Sequence, residues 1–269
     1  NLSNTQLPIP ALMELLSAIF NNVYVTKLEL KIRQNGFGIG GAKPFMSLAA
    51  NAVNLVSLDI SENALGDEGV HTLFQGLCHA PALKKLTCEN NLSVKKTGMR
   101  LNAVESMGMM LSSDCPLEEL SLANNKLGDD LYLFFEYLHK NNTLSSLNIS
   151  GNRIGDKGAQ LFGRVLQVNN KLSSLIMDDN EVSPLGYQAF GLSLQRNSTL
   201  KNFPLPFTDL SRHASGGGMG AAGFHKIMQS IMSKVAINNA PKRKVKVQGL
   251  EQSSMLTGGA HLEYLNQLN

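Results

Sequence analysis

One pattern of residues in the sequence could bind a dinucleotide. In the stretch LELKIRQNGFGIGG, a strand-like run leads into three glycines spaced G-x-G-x-x-G, namely Gly36, Gly38 and Gly41. Asp59 follows eighteen residues after Gly41, in a second strand-like run. Glycines in this arrangement let a backbone approach a pyrophosphate, and the acid can accept a hydrogen bond from a ribose hydroxyl. The pattern therefore raises the hypothesis of a nicotinamide or flavin enzyme.

Apart from these glycines, the sequence offers no catalytic, metal or cofactor site. No G-x-S-x-G segment places a serine nucleophile, and the glycine-rich SGGGMGAAG lacks the Gly-Lys-Ser/Thr of a phosphate-binding loop. The histidines are too far apart for metal-ligand spacing, and no cysteine joins them. They are His71, His79, His139, His213, His225 and His261.

Composition and charge narrow the classes of protein that fit. The 269 residues are 43% hydrophobic, enough for a sizeable core, and the formal net charge is only +3. This weak charge, with few aromatic residues and no tryptophan, argues against nucleic-acid binding. Three cysteines without CxxC spacing indicate a reducing compartment. No apolar run approaches a membrane span, and because the chain starts without methionine we expect a fragment of a longer protein.

A repeat with a period near 28 residues runs along most of the chain. The copy LVSLDISENALGDEG begins at Leu55, and LSSLNISGNRIGDKG repeats it from Leu144. From Leu55 onward the steps between starting leucines are 28, 34, 27, 28 and 28 residues. The long step contains about six inserted residues within SVKKTGMRLNAVESMG. Before Leu55 we expect a copy two residues longer, built on Val25, Leu28 and Leu30, and the end of an earlier one.

The residue types of each unit indicate its structure. L-x-x-L-x-L is typical of a short strand with its apolar residues inward, and the Gly-Asp-x-Gly stretch predicts a helix start with Asp as a first-turn anion or cap. An asparagine lies at each turn off a strand, where its amide can bond backbone groups of the adjacent repeat. We expect a structural ladder formed by Asn35, Asn63, Asn91, Asn125, Asn152 and Asn180.

These units predict an α/β fold, a right-handed α/β solenoid of leucine-rich repeats. Its parallel strands form a concave sheet, and C-terminal helices form a cap.

The repeat spacing also explains the glycine pattern of GFGIGG. Asn35 precedes Gly41 by six residues, as Asn63 precedes Gly69, so Gly41 is the repeat glycine and Asp59 an exposed strand residue. We therefore favour a structural over a nucleotide-binding interpretation of GFGIGG.

The array is predicted to span residues 1–210. Its last unit, LKNFPLPF, has a central leucine flanked by two prolines, which predicts a final strand closed to further pairing, with Thr208-Asp209 where the asparagine is expected. We expect a glycine-rich linker over 211–223 and a helical cap or dimerisation segment over 224–269.

Two features of the C-terminal segment leave alternatives open. Four apolar residues share one helix face, which suits an array cap and a homodimer contact equally; they are Phe224, Ile227, Ile231 and Val235. A basic run is either a solvated segment or a contact for anionic lipid or an acidic partner; it consists of Lys242, Arg243, Lys244 and Lys246.

The concave face is the usual binding surface of such arrays. Its predicted side chains are small, polar and mixed in sign, without aromatic anchors, so a simply solvated face remains the alternative. If a basic partner segment binds there, the residues that we expect to receive it are Glu29, Asp59, Glu89, Glu119, Asn148 and Asp178.

The repeats and their abrupt end resemble the leucine-rich-repeat region of the CARMIL family, the capping protein, Arp2/3 and myosin-I linkers. The stretches that carry this resemblance are NNTLSSLNISGNRIGDKGAQLFGRVLQVNNKLSSLIMDDNEVSPLGYQAF and NSTLKNFPLPFTDLSR. Only the second stretch is specific to the family; the first is largely general repeat consensus.

The resemblance implies a non-enzymatic scaffold of the actin cytoskeleton, cytoplasmic and at the cell cortex. Capping protein or myosin-I would be partners, partly through regions outside this chain, and a flanking domain would contact anionic membranes. A homodimer is also implied. The alternative is a small-GTPase activator built on a similar repeat frame, which would need an arginine or asparagine at the edge of the array reaching the nucleotide.

Overall fold

The computed structural model of the chain describes residues 1–50, 52–93, 95, 97–214 and 220–240. Asn1–Asn239 form one compact unit of alternating strands and helices. The strands are β1 Leu28–Lys31, β2 Leu55–Asp59, β3 Lys85–Thr87, β4 Glu119–Ser121, β5 Ser146–Asn148 and β6 Ser174–Ile176. The helices are α1 Ile9–Phe20, α2 Gly38–Ala49, α3 Gly66–Leu77, α4 Arg100–Ser112, α5 Leu131–Lys140, α6 Gly155–Val168, α7 Pro184–Leu194, α8 Phe207–Ala214 and α9 Gly220–Asn239, and a 3-10 turn, Gly128–Asp130, precedes α5.

The six strands form one parallel sheet in the order β1 to β6, so each repeat adds its strand beside the preceding one. One inward leucine per strand lies in register with the next and is buried, because alternate strand residues point to opposite faces of the sheet. These are Leu30, Leu58, Leu86, Leu120, Leu147 and Leu175. The predicted fold class, an α/β leucine-rich-repeat solenoid with a parallel sheet, is confirmed.

The register of the first strand corrects the alignment made from the sequence. Glu29 pairs with Ser57, whereas Lys31 pairs with Asp59. Lys31 rather than Glu29 therefore occupies the central outward position, and the prediction of two extra residues between this strand and its asparagine is wrong. The irregularity lies at the start of the strand, where the register shifts after Leu28.

The asparagine of each repeat joins neighbouring repeats through its side-chain amide. The Oδ1 of Asn63 accepts the backbone N–H of Asn35 at 2.9 Å, and its Nδ2 donates to the carbonyl oxygens of Ile32 and Ile60, each at 2.9 Å. The others bond in the same way with three exceptions. Asn91 donates to the Sγ of Cys88 in place of its carbonyl oxygen, Asn152 accepts from the backbone N–H of Leu127, and Asn35 accepts from Thr5. This asparagine ladder consists of Asn35, Asn63, Asn91, Asn125, Asn152 and Asn180.

Two residues outside the predicted set close the asparagine ladder. At its N-terminal end, the Oδ1 of Asn35 accepts the backbone N–H and the hydroxyl of Thr5 at 3.1 and 3.0 Å. At its C-terminal end, the carboxylate of Asp209 accepts the backbone N–H groups of Asn180 at 3.1 Å and Glu181 at 2.9 Å. Thr5 thus supplies the backbone donor, and Asp209 the acceptor, that asparagines supply to their neighbours inside the array.

Left-handed backbone on the C-terminal side of the asparagines explains the glycines of GFGIGG. Gly36 and Gly38 have φ angles of +64° and +54°, and the matching Ala64 and Gly66 of the next repeat have +51° and +69°. Glycine adopts this region without the steric cost of a side chain. The two glycines therefore belong to a left-handed turn that the next repeat makes as well.

The inserted residues of the third repeat lie between its asparagine and α4. Buried Asp67 holds this segment by accepting the hydroxyl of Thr97 at 2.6 Å and the Nε of Arg100 at 2.8 Å. Burial alone would raise the pKa of the Asp67 carboxyl. The hydrogen bonds from Thr97 and Arg100 together have the larger effect, so the pKa is lowered. Asp67 lies in the first turn of α3, as expected, but its side chain makes no capping bond there and binds the next repeat instead.

The C-terminal boundaries differ from those predicted. The expected Pro-flanked strand is reduced to a single bridge between Asn202 and Ser174, because proline cannot donate to a sheet ladder. Helix α8 extends to Ala214 and α9 begins at Gly220, so helices occupy both ends of the predicted linker 211–223.

Helix α9 packs on α7 through the predicted apolar face. Phe224, Ile231 and Val235 are buried there together with Met228, whereas Ile227 is only partly buried. This face is occupied within the chain, so the structure favours a cap over a dimer contact for it. The remainder of the predicted cap, with the basic run, lies outside the described residues.

The asparagine ladder predicts an unequal effect of two asparagine substitutions. Asn63→Ala should lower the free energy of unfolding by about 1–3 kcal/mol, because buried backbone groups of two repeats lose their partners. Asn142→Ala is the matched control, since Asn142 is exposed and its side chain makes no hydrogen bond to a described residue. Urea unfolding followed by circular dichroism measures both, and equal losses would contradict the ladder's role.

Candidate interaction surface

The side chains opposite the helices form a concave face of two rows in register. The outer row contains Glu29, Ser57, Lys85, Glu119, Ser146 and Ser174. The central row contains Lys31, Asp59, Thr87, Ser121, Asn148 and Ile176. The structure therefore places Glu29 and Glu119 in one row, and Asp59 and Asn148 in the other. Glu89 and Asp178 lie two residues beyond the central row in their repeats.

The acids predicted to receive a basic partner already have partners within the chain. The hydroxyl of Ser121 donates to Glu89 at 2.5 Å. Three others form ion pairs, with N–O distances of 2.9 Å for Glu29 and Lys27, 3.5 Å for Asp59 and Arg33, and 2.8 Å for Glu119 and Lys85. Exposed pairs of this kind contribute little to stability, but they cancel the charge of this half of the concave face.

The half of the concave face on β5 and β6 has no charged side chain at its four outward positions, which are Ser146, Asn148, Ser174 and Ile176. The Oδ1 of Asn148 accepts the backbone N–H and the hydroxyl of Ser150 at 3.1 and 2.8 Å. Its Nδ2 has no partner among the described residues and is free to donate. The small side chains leave room for another backbone to approach.

A polar groove of about 460 Å³ runs beside the concave face, along residues next to the asparagine ladder. Four cations and four carboxylates line it, so the groove has no field of one sign. Its arginines are paired in the groove, Arg33 with Glu62, Arg153 with Glu181 and Arg212 with Asp179. Each arginine of this groove thus lies beside a carboxylate, while the asparagines Asn90 and Asn124 also line it.

Asp178, the last of the predicted partner-binding acids, holds the start of α8. Its carboxylate accepts the backbone N–H groups of Thr208 at 3.0 Å and Asp209 at 3.1 Å, and the hydroxyl of Thr208 at 2.9 Å. Burial alone would raise the pKa of the Asp178 carboxyl. The hydrogen bonds that it accepts together have the larger effect, so the pKa is lowered. Its geometry is that of an internal anchor for α8.

Asp209 is a fully buried carboxylate at the end of the asparagine ladder. Besides its two backbone donors, it accepts the hydroxyl of Tyr187 at 2.9 Å and a guanidinium N–H of Arg212 at 3.1 Å. Burial outweighs these bonds and raises the pKa of Asp209. Donors of the last two repeats and of α8 thus surround this buried carboxylate.

Three further properties bear on chemistry in the described part of the chain. No group of three or more His, Cys, Asp or Glu residues there could hold a metal ion. None of its helices combines the length and apolar character needed to cross a bilayer. Burial raises the pKa of Cys88 and of Cys115 to about 12, so neither thiol supplies a thiolate near neutral pH.

Comparison with known proteins decides the family. The sequence profile described as the LRR domain of the CARMIL family matches residues 1–240. The chain belongs to the CARMIL family. Protein CARMIL of Dictyostelium discoideum is 38% identical over 255 residues, which cover 93% of this chain and 24% of that protein. The resemblance found in the sequence is confirmed.

Two further comparisons accompany this CARMIL match. Capping protein, Arp2/3 and myosin-I linker protein 2 of Mus musculus is 31% identical over 158 residues, 58% of this chain and 12% of that protein. The chain thus spans a quarter or less of the length of these relatives. The solved structure of leiomodin-1 actin-binding site 2 has a TM-score of 0.46 and 18% identity, over 64% of this chain and 90% of that one.

Sequence reasoning missed several residues that hold this CARMIL array together. Asp209 was recognisable as an acid in the asparagine position, but its partner Tyr187 lies 22 residues away, outside the repeat template. Thr5 ends the first partial repeat at the asparagine position. Arg100 had no signal, because its bond to Asp67 depends on the path of the inserted segment.

The anchor at the start of α8 predicts that Asp178→Ala lowers the free energy of unfolding by about 2 kcal/mol, because charged hydrogen bonds to two N–H groups and a hydroxyl are lost. Glu181→Ala, which removes only an exposed ion pair, should cost less than about 1 kcal/mol.

The contribution of Asp178 should be present above about pH 4, the ordinary pKa of an aspartate, and be lost as the pH falls further, since its folded-state pKa is lowered. Urea titrations at two pH values measure this. An unchanged difference between wild type and Asp178→Ala at low pH would rule it out.

Proposed function

We propose that this chain is the leucine-rich-repeat frame of a non-enzymatic scaffold in an actin-regulatory linker protein. The match of residues 1–240 to the CARMIL family carries the proposal. The name of the mouse relative describes a linker of capping protein, Arp2/3 and myosin-I, and these are the partner classes proposed here. The corresponding location is the cytoplasmic actin cortex.

The mechanism proposed is presentation on a stiff frame. Six strands in register, an asparagine ladder through the turns and closure by Thr5 and Asp209 resist bending of one repeat against the next. Segments that flank such a frame are held at a fixed separation, which raises the effective concentration of one bound partner near another.

The uncharged half of the concave face, on β5 and β6, is the docking surface that we propose within the frame. The predicted acids remain candidates for a basic partner segment, but binding there has to displace the ion pairs that Glu29, Asp59 and Glu119 already make. Ser146 and Asn148 need no such displacement, and Asn148 has a free amide donor.

If partners dock on this surface, substitutions on the concave face should weaken their binding, whereas substitutions on the helices should not. Ser146→Arg/Asn148→Arg should weaken binding of the immobilised chain to purified capping protein, Arp2/3 complex or myosin-I by about tenfold, because two long cations crowd a flat surface. Gln160→Arg/Gln188→Arg adds the same charge to exposed positions of α6 and α7 and should leave binding unchanged. Binding of none of the three proteins, or equal loss in both variants, would refute direct docking on this face.

Self-association is proposed to depend on residues beyond the array, because the apolar face of α9 is occupied by α7. Sedimentation equilibrium should give a dimer mass for the full chain and a monomer mass for residues 1–240, which keep α9. A dimer of 1–240 would place the contact on the array itself. Monomer masses for both would end the dimer proposal while leaving the scaffold proposal intact.

A further inference from the structure

A second set of asparagines joins the turns that lead from helices to strands. The Nδ2 of Asn169 donates to the carbonyl oxygen of Asn141 at 3.1 Å, and the Nδ2 of Asn197 donates to that of Asn169 at 3.4 Å. Asn238, near the end of α9, continues the series by donating to the carbonyl oxygen of Leu200 at 2.9 Å. These bonds fix the ends of α5, α6, α7 and α9 side by side along one edge of the array, called the turn edge below.

The residue before each of these asparagines points a long or apolar side chain into solvent. In order along the turn edge they are Lys140, Val168, Arg196 and Ile237, so cations alternate with aliphatic side chains. Val168 is 55% exposed and Ile237 is 67% exposed. Both lie beside a residue fixed by hydrogen bonds, and therefore neither can withdraw into the core without breaking the turn.

The turn edge carries more cations than the acids near it can balance: Glu118 is close enough to attract Lys171, and Glu136 lines a cleft with Val168. Lys171 and Lys201 add to the charge of Lys140 and Arg196, and none of the four has an ion-pair partner among the described residues. No aspartate or glutamate occurs in the segments that form the edge, 139–145, 166–174, 194–202 and 234–240. In the earlier repeats, by contrast, Lys84 is paired with Glu118 at 2.7 Å.

The end of α9 is bound to the turn edge. The side chain of Asn239 donates to the carbonyl oxygen of Lys201, so the chain leaves the array beside that lysine. The sequence PKRKVK follows directly after Ala240.

We propose that the turn edge is a contact site for the surface of an anionic lipid bilayer. Its cations meet lipid phosphates and carboxylates, and Val168 and Ile237 enter the interfacial layer between them. An acidic protein surface would account for the cations but not for two rigidly exposed aliphatic residues placed among them. The site lies on the array itself, beyond the scaffold role, and does not depend on which proteins the scaffold binds.

Vesicle co-sedimentation of the full chain tests this site. We expect retention by vesicles of phosphatidylcholine with about 30% phosphatidylserine, decreasing as salt rises above about 0.1 M, and none by phosphatidylcholine alone. Lys171→Gln/Lys201→Gln should lower the partition coefficient about 25-fold, from about fivefold for each cation near the surface. Lys43→Gln/Lys126→Gln, exposed lysines away from the turn edge, should leave it unchanged.

A second pair of variants tests the apolar contribution. Val168→Ser/Ile237→Ser should lower retention about tenfold, whereas Ile39→Ser/Leu185→Ser, similarly exposed at the opposite ends of helices α2 and α7, should not. All of the substituted positions are exposed, and the midpoint of urea unfolding of each variant shows whether it is folded.

Three outcomes would overturn the proposal. The first is equal retention with and without phosphatidylserine. The second is wild-type retention by both turn-edge variants when replacement of Lys242, Arg243, Lys244 and Lys246 by glutamine abolishes it, since the basic run alone would then be the contact. The third is binding of soluble polyglutamate without retention by vesicles, which would identify an acidic protein surface as the ligand.

Discussion

The buried backbone groups at each strand-to-helix turn are the constraint on which this array depends. Such a turn leaves an N–H of one repeat and carbonyl oxygens of two repeats away from water, and each must find a partner. An asparagine side chain supplies one acceptor and two donors from a single position, which serine, threonine or aspartate cannot. Inside the array the position is therefore asparagine at every repeat. At the N-terminal end Thr5 keeps only donors, to Asn35, and at the C-terminal end Asp209 keeps only acceptors. Tyr187 of α7 and Arg212 of α8 donate to the carboxylate of Asp209.

What the sequence could predict follows from this constraint. Residues that recur at 28-residue intervals, such as Asn63 and Asn152, reveal strand positions, turns and glycine roles, because every repeat solves the same local problem. The register of β1 was mistaken because a shift of two residues keeps each side chain on its own face of a strand, so Leu28-Leu30 and Leu30-Ile32 fit equally well. Only the sequence spacing from Ile32 to Asn35, which equals that from Ile60 to Asn63, identifies the correct alignment.

The surfaces could be predicted less well than the core, for a related reason. Stacking brings residues that are about 28 positions apart into contact. A charged side chain is therefore neutralised where the next repeat places an opposite charge beside it, and it stays unpaired where the next repeat does not. Glu119 is an acid in the sequence but part of an ion pair with Lys85 in the structure, and Asp178 is an anchor for α8. Repeats that lack such counterparts keep their own charge or lack of it, as the uncharged outward positions of β5 and β6 and the excess of cations at the turn edge show.

The C-terminal cap contributes both to the core of the array and to its surface. The buried face of α9 covers the last apolar layer through Phe224 and Ile231, while Asn238 and Asn239 at its end bind the final turn through the carbonyl oxygens of Leu200 and Lys201. One helix thus closes the core and also sets where the chain leaves the array. Because α9 covers the C-terminal apolar layer from within the chain, no partner is needed there, and the exposed rows of the concave face can serve docking instead. This separation of closure from recognition is what a scaffold built from repeats requires.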